Sequence, residues 1–599
     1  MAWDLEKSRL VYGLARNDLF FIDTDKEGKL CFKLNGKQIT FQEIIQKIES
    51  QLPPDTDVPS FTLRIPALID YQIEKLYKIY QDQFKKYSYH GNFQALYPIK
   101  VNPMKSVLNQ IRQANKEYGF EAGTKSELAI ILSLLKEEKN RVIMCNGVKD
   151  DDYFQIVRFG LEEGYKLIIS VESLEEAQLA LKILPKERIK LALRIKPYSP
   201  ISGHWGASTG RNSKFGLGIA DIKAVKQYLS ENNAKQYLEA IHSHPGSQVT
   251  GSVEKFGEFL ARVFLEFREE GFDQLKTINC GGGLPINYTG RLPSDMAEKY
   301  ASQLIGPIKR IINGKYSDPD IMIEQGRFIT ALSSMIVVEG LDVRKIYPKA
   351  NIEQIDKKIF EKIESLSSGE ELIAFLESWN NTHESIDNLD ELGQKEQESQ
   401  AIRPLLRKKI VSLKNFEELF KNRIVRDLFN SENLFLGNFS VFNSVCDHVL
   451  IKQFFPVIST KNLHVQPETI VRLVDITCDS DGEISNFSPQ IGEPLYTKDH
   501  FPLTCKKKMI LKGFPVGLLK DLKESYVIIG LVGAYQDIIE FDHNLLGDLP
   551  DVTLMLKEGE IEINWYNPAE TIQDLVSQVG FEIENLSSPF VTGKKRKYR

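Results

Sequence analysis

Lys100 closes the apolar stretch Phe93-Gln94-Ala95-Leu96-Tyr97 and precedes the turn signal Asn102-Pro103, a setting that aims its amine into a site rather than into solvent. A lysine buried at a strand end is costly unless it is paired or used. One that condenses with a carbonyl needs a lowered pKa and a water-poor pocket. Three motifs follow downstream: His244-Pro245-Gly246-Ser247, Gly281-Gly282-Gly283 and Glu324-Gln325-Gly326-Arg327. Glycines after an apolar strand let backbone N–H groups approach an anion closely, and the Arg327 guanidinium can fork two donors onto a phosphate. Glu324 can keep a pyridine nitrogen protonated, which makes the ring an electron sink. Together these residue types point to pyridoxal phosphate chemistry, with a lysine adduct of an aldehyde beside a phosphate cradle.

His242 and His244, two apart on one strand face, could suggest a metal, but no carboxylate or cysteine nearby completes a ligand set. An imidazole at His244 stacked on the cofactor ring, with Ser247 donating to phosphate, fits better. Cys478-Asp479-Ser480-Asp481-Gly482 ends a β-branched run and lacks the spacing of a calcium loop. It offers a nucleophile or proton donor, with acids for a cationic substrate.

Positioning such residues takes a scaffold. Short apolar runs recur at 93–101, 118–122, 141–145, 166–171, 190–195, 240–244, 277–280 and 320–324. Helical periodicity lies between most of them, as at 126–135 and 253–267. Strands alternating with helices over this length predict a (β/α)8 barrel, with a doubly wound open sheet as the structural rival. Lys100, Glu121, His244, Gly281 and Glu324 fall at or just past strand C-terminal ends, the face that carries active sites in this barrel. Residues 1–60 read as strands and hairpins closed by Leu52-Pro53-Pro54, and residues 346–430 as a helical insertion. β-Branched runs at 469–476 and 526–532 mark a β domain over 431–599 that ends in an amphipathic helix between 567 and 584. The expected plan is α/β plus β: N-terminal strands (1–60) joining the β domain, a cofactor-binding barrel (61–345), the insertion, then the β domain with its helical extension.

At 599 residues the chain is long enough for two to four domains. A formal net charge of −6 gives no electrostatic case for nucleic acid, and the basic tail 593–599 reads as a solvated terminus. No apolar run is long enough to span a membrane, and the charged start Met1-Ala2-Trp3-Asp4 lacks a signal-peptide core. Six scattered cysteines without a Cys-x-x-Cys pair fit a reducing cytoplasm.

These motifs, in this order, make the chain resemble the biosynthetic arginine decarboxylases, a family of alanine-racemase-like fold in class II of the ornithine/lysine/arginine decarboxylases. The blocks that carry the likeness include Tyr97–Asn102, Glu121-Ala122-Gly123, Cys145–Asp150, Ser213–Leu217, His244–Gln248, Cys478–Gly482 and Gly533-Ala534-Tyr535-Gln536-Asp537. The resemblance implies that Lys100 bonds covalently to the aldehyde of pyridoxal 5′-phosphate and that His244 stacks on the ring. Ser247, Gly281 to Gly283, Gly326, Arg327 and Tyr535 would hold phosphate, and Glu324 would face the pyridine nitrogen. Cys478 would protonate the product carbon from a neighbouring subunit, which implies a homodimer at least and leaves a homotetramer open. Asp479 and Asp481 are candidates for a guanidinium. The segment Ile278, Asn279, Cys280, Gly281, Gly282, Gly283, Leu284, Pro285, Ile286, Asn287, Tyr288 matches the family's substrate-binding stretch, with Asn279, Cys280 and Pro285 standing where Asp, Val and Gly are expected. A magnesium ion is implied by the resemblance alone. The implied reaction is conversion of L-arginine to agmatine and carbon dioxide, a first step toward putrescine and spermidine. The same chemistry on diaminopimelate, ornithine or lysine is the alternative, and a non-catalytic regulatory paralogue is the other class.

Overall fold

A computed structural model describes residues 3–198, 213–345, 357–381, 388–523, 525–557 and 560–582. Its centre is a closed barrel of parallel strands. In chain order these are β1 (Phe93–Pro98), β2 (Gly119–Ala122), β3 (Val142–Cys145), β4 (Lys166–Val171), β5 (Leu191–Arg194), β6 (Leu238–His242), β7 (Thr277–Asn279) and β8 (Asp320–Glu324). Each pairs with the next, and β8 pairs back onto β1, with Glu324 opposite Leu96. All eight lie within or beside the apolar runs expected to form them, and closure excludes the open sheet.

The runs are nearly continuous in hydrophobicity because both strand faces are covered. Leu96, Val142, Met144, Ile168, Ala192, Ala240 and Met322 form a compact cluster of their own, with small alanines set against methionines. The opposite faces pack against the surrounding helices in the main core. The helices start where polar side chains cap them: Thr124 accepts from Glu127 N, Asp150 from Tyr153 N and Ser173 from Glu176 N. These caps end the short loops that follow β2, β3 and β4, so the C-terminal mouth of the barrel is tightly specified.

A nine-stranded sheet lies beside the barrel. Its spine is the long strand Ser334–Lys345, which pairs with Phe61–Arg64, Tyr526–Ile529 and Asn433–Gly437. The strands within 1–60 do not join it, which corrects that expectation. Ile22–Thr24, Leu30–Leu34 and Lys37–Thr40 pair among themselves as a three-stranded antiparallel sheet, since the tight Asn35-Gly36 turn folds the run back on itself. Only Phe61–Arg64 carries the N-terminal part of the chain into the large sheet. Both ends of the segment 61–345 are therefore strands of that sheet.

Between the large sheet's strands lie the helices Lys357–Ser365, Gly369–Asn381, Leu389–Ser412 and Arg423–Leu428. Leu372, Leu406, Ile410 and Val425 close a second core shared with Ile470 and Phe501. The last helix among the described residues is Ile572–Gln578; the basic tail lies outside them. No helix among the described residues is long and apolar enough to cross a membrane.

Candidate active site

Lys100 sits in a one-turn helix, Ile99–Val101, at the end of β1. Its side chain is 47% exposed, into a cavity of about 520 Å³ at the barrel mouth. Nζ lies 2.6 Å from Oε2 of Glu121, which is fully buried at the end of β2. Burial alone would lower the lysine pKa, but the Glu121 carboxylate, with Tyr535 and Glu324 behind it, outweighs burial and raises it. The expected depressed amine is thus absent from this state because a carboxylate faces it. Glu121 is itself shifted upward by burial, against the pull of Lys100. The β domain holds the lysine's turn from the other side. Tyr535 N donates to Val101 O at 2.7 Å, and Asn102 Nδ2 donates to Asp537 Oδ2 at 2.7 Å. Asp537 is paired in turn with Arg64 on the sheet strand.

Glu324, buried at the end of β8, is held by neutral donors. Asn279 Nδ2 reaches Oε1 at 2.7 Å and Asn146 Nδ2 reaches Oε2 at 3.0 Å, while His242 Nε2 stands 3.5 Å from Oε1. His242 is buried against Ser170, and burial followed by the nearby Arg194 cation pulls its pKa well down. His244 is lowered by the same causes, so both imidazoles are neutral near pH 7. Gly246 N donates to His244 Nδ1 at 3.0 Å, which leaves the ring proton on Nε2.

The loop after β7 turns through positive φ at Gly281 (64°) and Gly283 (113°), a conformation that favours glycine. Gly281 N donates to Asn279 Oδ1 at 2.9 Å, so one amide ties the glycine loop to Glu324. Gly282, Gly283, Gly246, Ser247, Gly326, Arg327 and Tyr535 line one part of the cavity wall. Arg327 is buried, donates to the Tyr288 hydroxyl at 3.0 Å, and lies 3.7 Å from Asp447 and 4.7 Å from the Tyr535 ring centre. Its Nε has no hydrogen-bond partner among the described residues.

Of the residues expected in the site, Lys100, His244, Ser247, Gly282, Gly283, Leu284, Glu324, Gly326, Arg327 and Tyr535 line this one cavity. Gly281 and Asn279 stand behind its wall. Ile278 and Cys280 are buried in the scaffold, where burial pushes the Cys280 thiol up to about 12. Ile286 is fastened to Gln248 and Asn287 to Asp18; they and Pro285 run away from the cavity, while Tyr288 reaches it only through Arg327. Cys478, Asp479 and Asp481 lie on an exposed loop that does not line the cavity of their own chain; Cys478 Sγ accepts from Asn544 Nδ2 at 3.4 Å.

Sequence reasoning gave no role to Glu121, Asn146, Arg194 or Asp447, all of which line the cavity. Glu121 and Asn146 lie inside motifs already singled out, so their signal was position at a strand end. Asp447 comes from the distant β domain and no local signal marks it.

The residues present fit pyridoxal phosphate. A reachable amine, an enclosed carboxylate for the ring nitrogen, glycines that leave the wall without side chains, and an arginine with an unsatisfied buried N–H converge on one volume. Among the described residues no group of three His, Cys, Asp or Glu is arranged to hold a metal ion.

Comparison with known proteins agrees. Residues 71–331 match the family described as pyridoxal-dependent decarboxylase, pyridoxal binding domain. A biosynthetic arginine decarboxylase of Vibrio cholerae is 27% identical over 98% of this chain and 93% of its own length. One from Trichlorobacter lovleyi is 29% identical over 91% and 87%. The crystal structure of the biosynthetic arginine decarboxylase of Campylobacter jejuni superimposes with a TM-score of 0.71 at 25% identity, covering 96% of this chain and 92% of that one. A diaminopimelate decarboxylase from M. jannaschi, 16% identical over 94% of this chain and 98% of that one, shares the fold with a TM-score of 0.59. Barrel, sheet and cavity are similar to those of pyridoxal-dependent decarboxylases of alanine-racemase-like fold. Within that class the chain is a homologue, over nearly its whole length, of the biosynthetic arginine decarboxylases.

Proposed function

We propose that this protein converts L-arginine to agmatine and carbon dioxide in the cytoplasm, at the head of a route to putrescine and spermidine. The observation that carries the reading is the convergence of Lys100, Glu324 and the glycine–Arg327 wall on one cavity, in a chain aligned end to end with arginine decarboxylases. When bound, pyridoxal phosphate supplies an electron sink for the electrons left by carbon dioxide. The protein does the rest. Lys100 offers the amine, and Glu324, fixed by Asn279 and Asn146, keeps a proton on the facing ring nitrogen. His244, neutral, stacks without adding charge. Gly282, Gly283, Ser247, Arg327 and Tyr535 hold the phosphate.

The proton for the product carbon comes from Cys478 of a second copy, and Asp479 or Asp481 on the same loop meets the guanidinium. The exposure of that loop and its separation from its own cavity support a site completed across an interface. The working form is then at least a homodimer, with a homotetramer as the larger option.

The test is carbon dioxide release from arginine, ornithine, lysine and diaminopimelate, together with the visible spectrum of the purified protein. Arginine should lead in kcat/KM by about 10⁴, because a compact ammonium leaves acceptors built for a planar fork unpaired. Equal turnover of lysine or ornithine overturns the arginine reading. A colourless protein that borohydride does not trap at Lys100 overturns the cofactor role.

A further inference from the structure

Glu121 is unlike the other carboxylates of the cavity. Glu324 is held by two amides, and Glu127 accepts from Gly123 N at 2.7 Å. Glu121 is fully buried, its Oε2 pairs with Lys100 Nζ, and its Oε1, on the side of Asn146, has no hydrogen-bond partner of ordinary geometry among the described residues. A buried carboxylate whose partner is a mobile amine, and whose other oxygen is unsatisfied, is strongly destabilised whenever that amine leaves.

Lys100 must alternate between two states if it works as proposed above, and this inference rests on that reading. We infer that Glu121 is a catalytic residue that receives Lys100 each time the incoming amine displaces it, and that their ion pair sets the balance between cofactor-bound and released lysine. In the exchange, the bond from the aldehyde carbon to Nζ breaks and a bond to the incoming nitrogen forms. The incoming ammonium passes two hydrogens to Nζ, which leaves as an ammonium. Charge is conserved, and the new cation needs an anion within reach. Glu121 Oε2, 2.6 Å from Nζ, is that anion. The groups facing the released amine are Glu121, Tyr535 and Glu324, with Glu127 on the same cavity wall, all of which favour its charge, and the neutral His242 and His244 lie nearby. Glu121 makes the close contact, so the balance should respond most to its removal.

The experiment uses full-length holoenzyme and agmatine, which can displace the lysine but has no carboxylate to lose. Displacement is followed by the visible absorbance, and lysine-bound cofactor is counted by borohydride trapping and mass spectrometry. Glu121→Gln keeps size and polarity without the charge. It should need about tenfold more agmatine, or more, for half displacement, the coupling expected of a close desolvated charge pair. Glu121→Asp, which keeps the charge on a shorter arm, should fall between. In cofactor-free full-length chain, the pH midpoint for acetylation of Lys100 should fall in Glu121→Gln, because burial then acts without the opposing carboxylate.

Unchanged agmatine demand in both variants would overturn the inference. So would loss of the lysine-bound absorbance in Glu121→Gln with Glu121→Asp behaving as wild type, since Glu121 would then serve the bound state rather than the released one. Wild-type protein that traps no cofactor on Lys100 would instead sink the decarboxylase reading, a result distinct from either.

Discussion

Replacing Gly282 by alanine tests whether the cradle and the carboxylate are one rigid unit. An added Cβ would stand 2.3 Å from the Glu324 carbonyl oxygen and 3.1 Å from His244 Nε2. Ordinary contact lies at about 3.5 Å, so the loop after β7 and the end of β8 must separate by about 1 Å. Neither neighbour is a flexible side-chain end: one is backbone, the other a ring fixed at Nδ1 by Gly246 N. The displaced atoms include the backbone of Glu324, so ring carboxylate and phosphate cradle shift relative to Lys100. Misplacement of that size costs about 10²-fold in rate. Gly282→Ala should therefore lower kcat/KM by about that factor and weaken cofactor retention, both read from steady-state carbon dioxide release and the visible spectrum during dialysis. Gly393→Ala is the control. Nothing lies within 4 Å of its added Cβ inside the helix Leu389–Ser412, so it should leave activity unchanged and add about 0.5–1 kcal/mol of helix stability. Activity of Gly282→Ala within threefold of wild type would refute the rigid-unit argument.

Other outcomes follow from the same geometry. Lys100→Ala should lose the visible cofactor absorbance and turnover; near-normal activity would mean that another lysine does the chemistry. Glu324→Gln should keep the cofactor but lose roughly 10²-fold or more in kcat, the scale for removing one preorganised electrostatic group. Mixing Lys100→Ala with Cys478→Ala subunits should restore part of the activity, and failure after verified subunit exchange would refute a shared site. Glu540 is raised to about 8 by burial and by Asp548, Asp537 and Asp542, so the folded chain binds its proton where an unfolded one has lost it. Its contribution is intact below the ordinary carboxylate range and is lost as pH rises toward 8. The Tm of Glu540→Gln should match wild type at pH 4 and exceed it increasingly up to pH 8; equal values throughout would show that the cluster is relaxed by solvent.

The barrel was legible because its strands are buried on both faces, which leaves short apolar runs such as Val142–Cys145 without alternation. The motif residues that line the cavity were legible because each motif sits where such a run stops. Pairing in the N-terminal hairpins was not: period-two hydrophobicity shows that Ile22–Thr24 and Leu30–Leu34 are strands, not which edge they join. Asn279 illustrates a different limit. In sequence it stands out as a departure from an expected aspartate; in the fold its amide links Gly281 N to Glu324 Oε1, a two-ended role that needs both partners in view. Asp447 meets Arg327 across the fold while Gln536 Nε2 donates to its carboxylate at 3.0 Å, a contact spanning 89 residues.

If the proposed assignment holds, the cofactor and the substrate are served by different halves of the chain. Nearly everything that would touch the cofactor comes from barrel strand ends, whose positions are fixed by closure and by the register of β8 on β1. A diaminopimelate decarboxylase with 16% identity keeps that fold. The acids proposed for the guanidinium come instead from an exposed turn after the sheet strand Thr469–Val474, where changes cost little stability. Asp475 anchors that turn: its carboxylate accepts from Val441 N at 2.8 Å and from the Thr477 hydroxyl at 2.7 Å, leaving Cys478 to Asp481 free to face outward. Substrate choice can then vary on the turn while the cofactor site stays constant. On the proposed reading the cavity, with walls from the barrel and with Asp447 and Tyr535 from the sheet, would become specific when a second copy presents that turn.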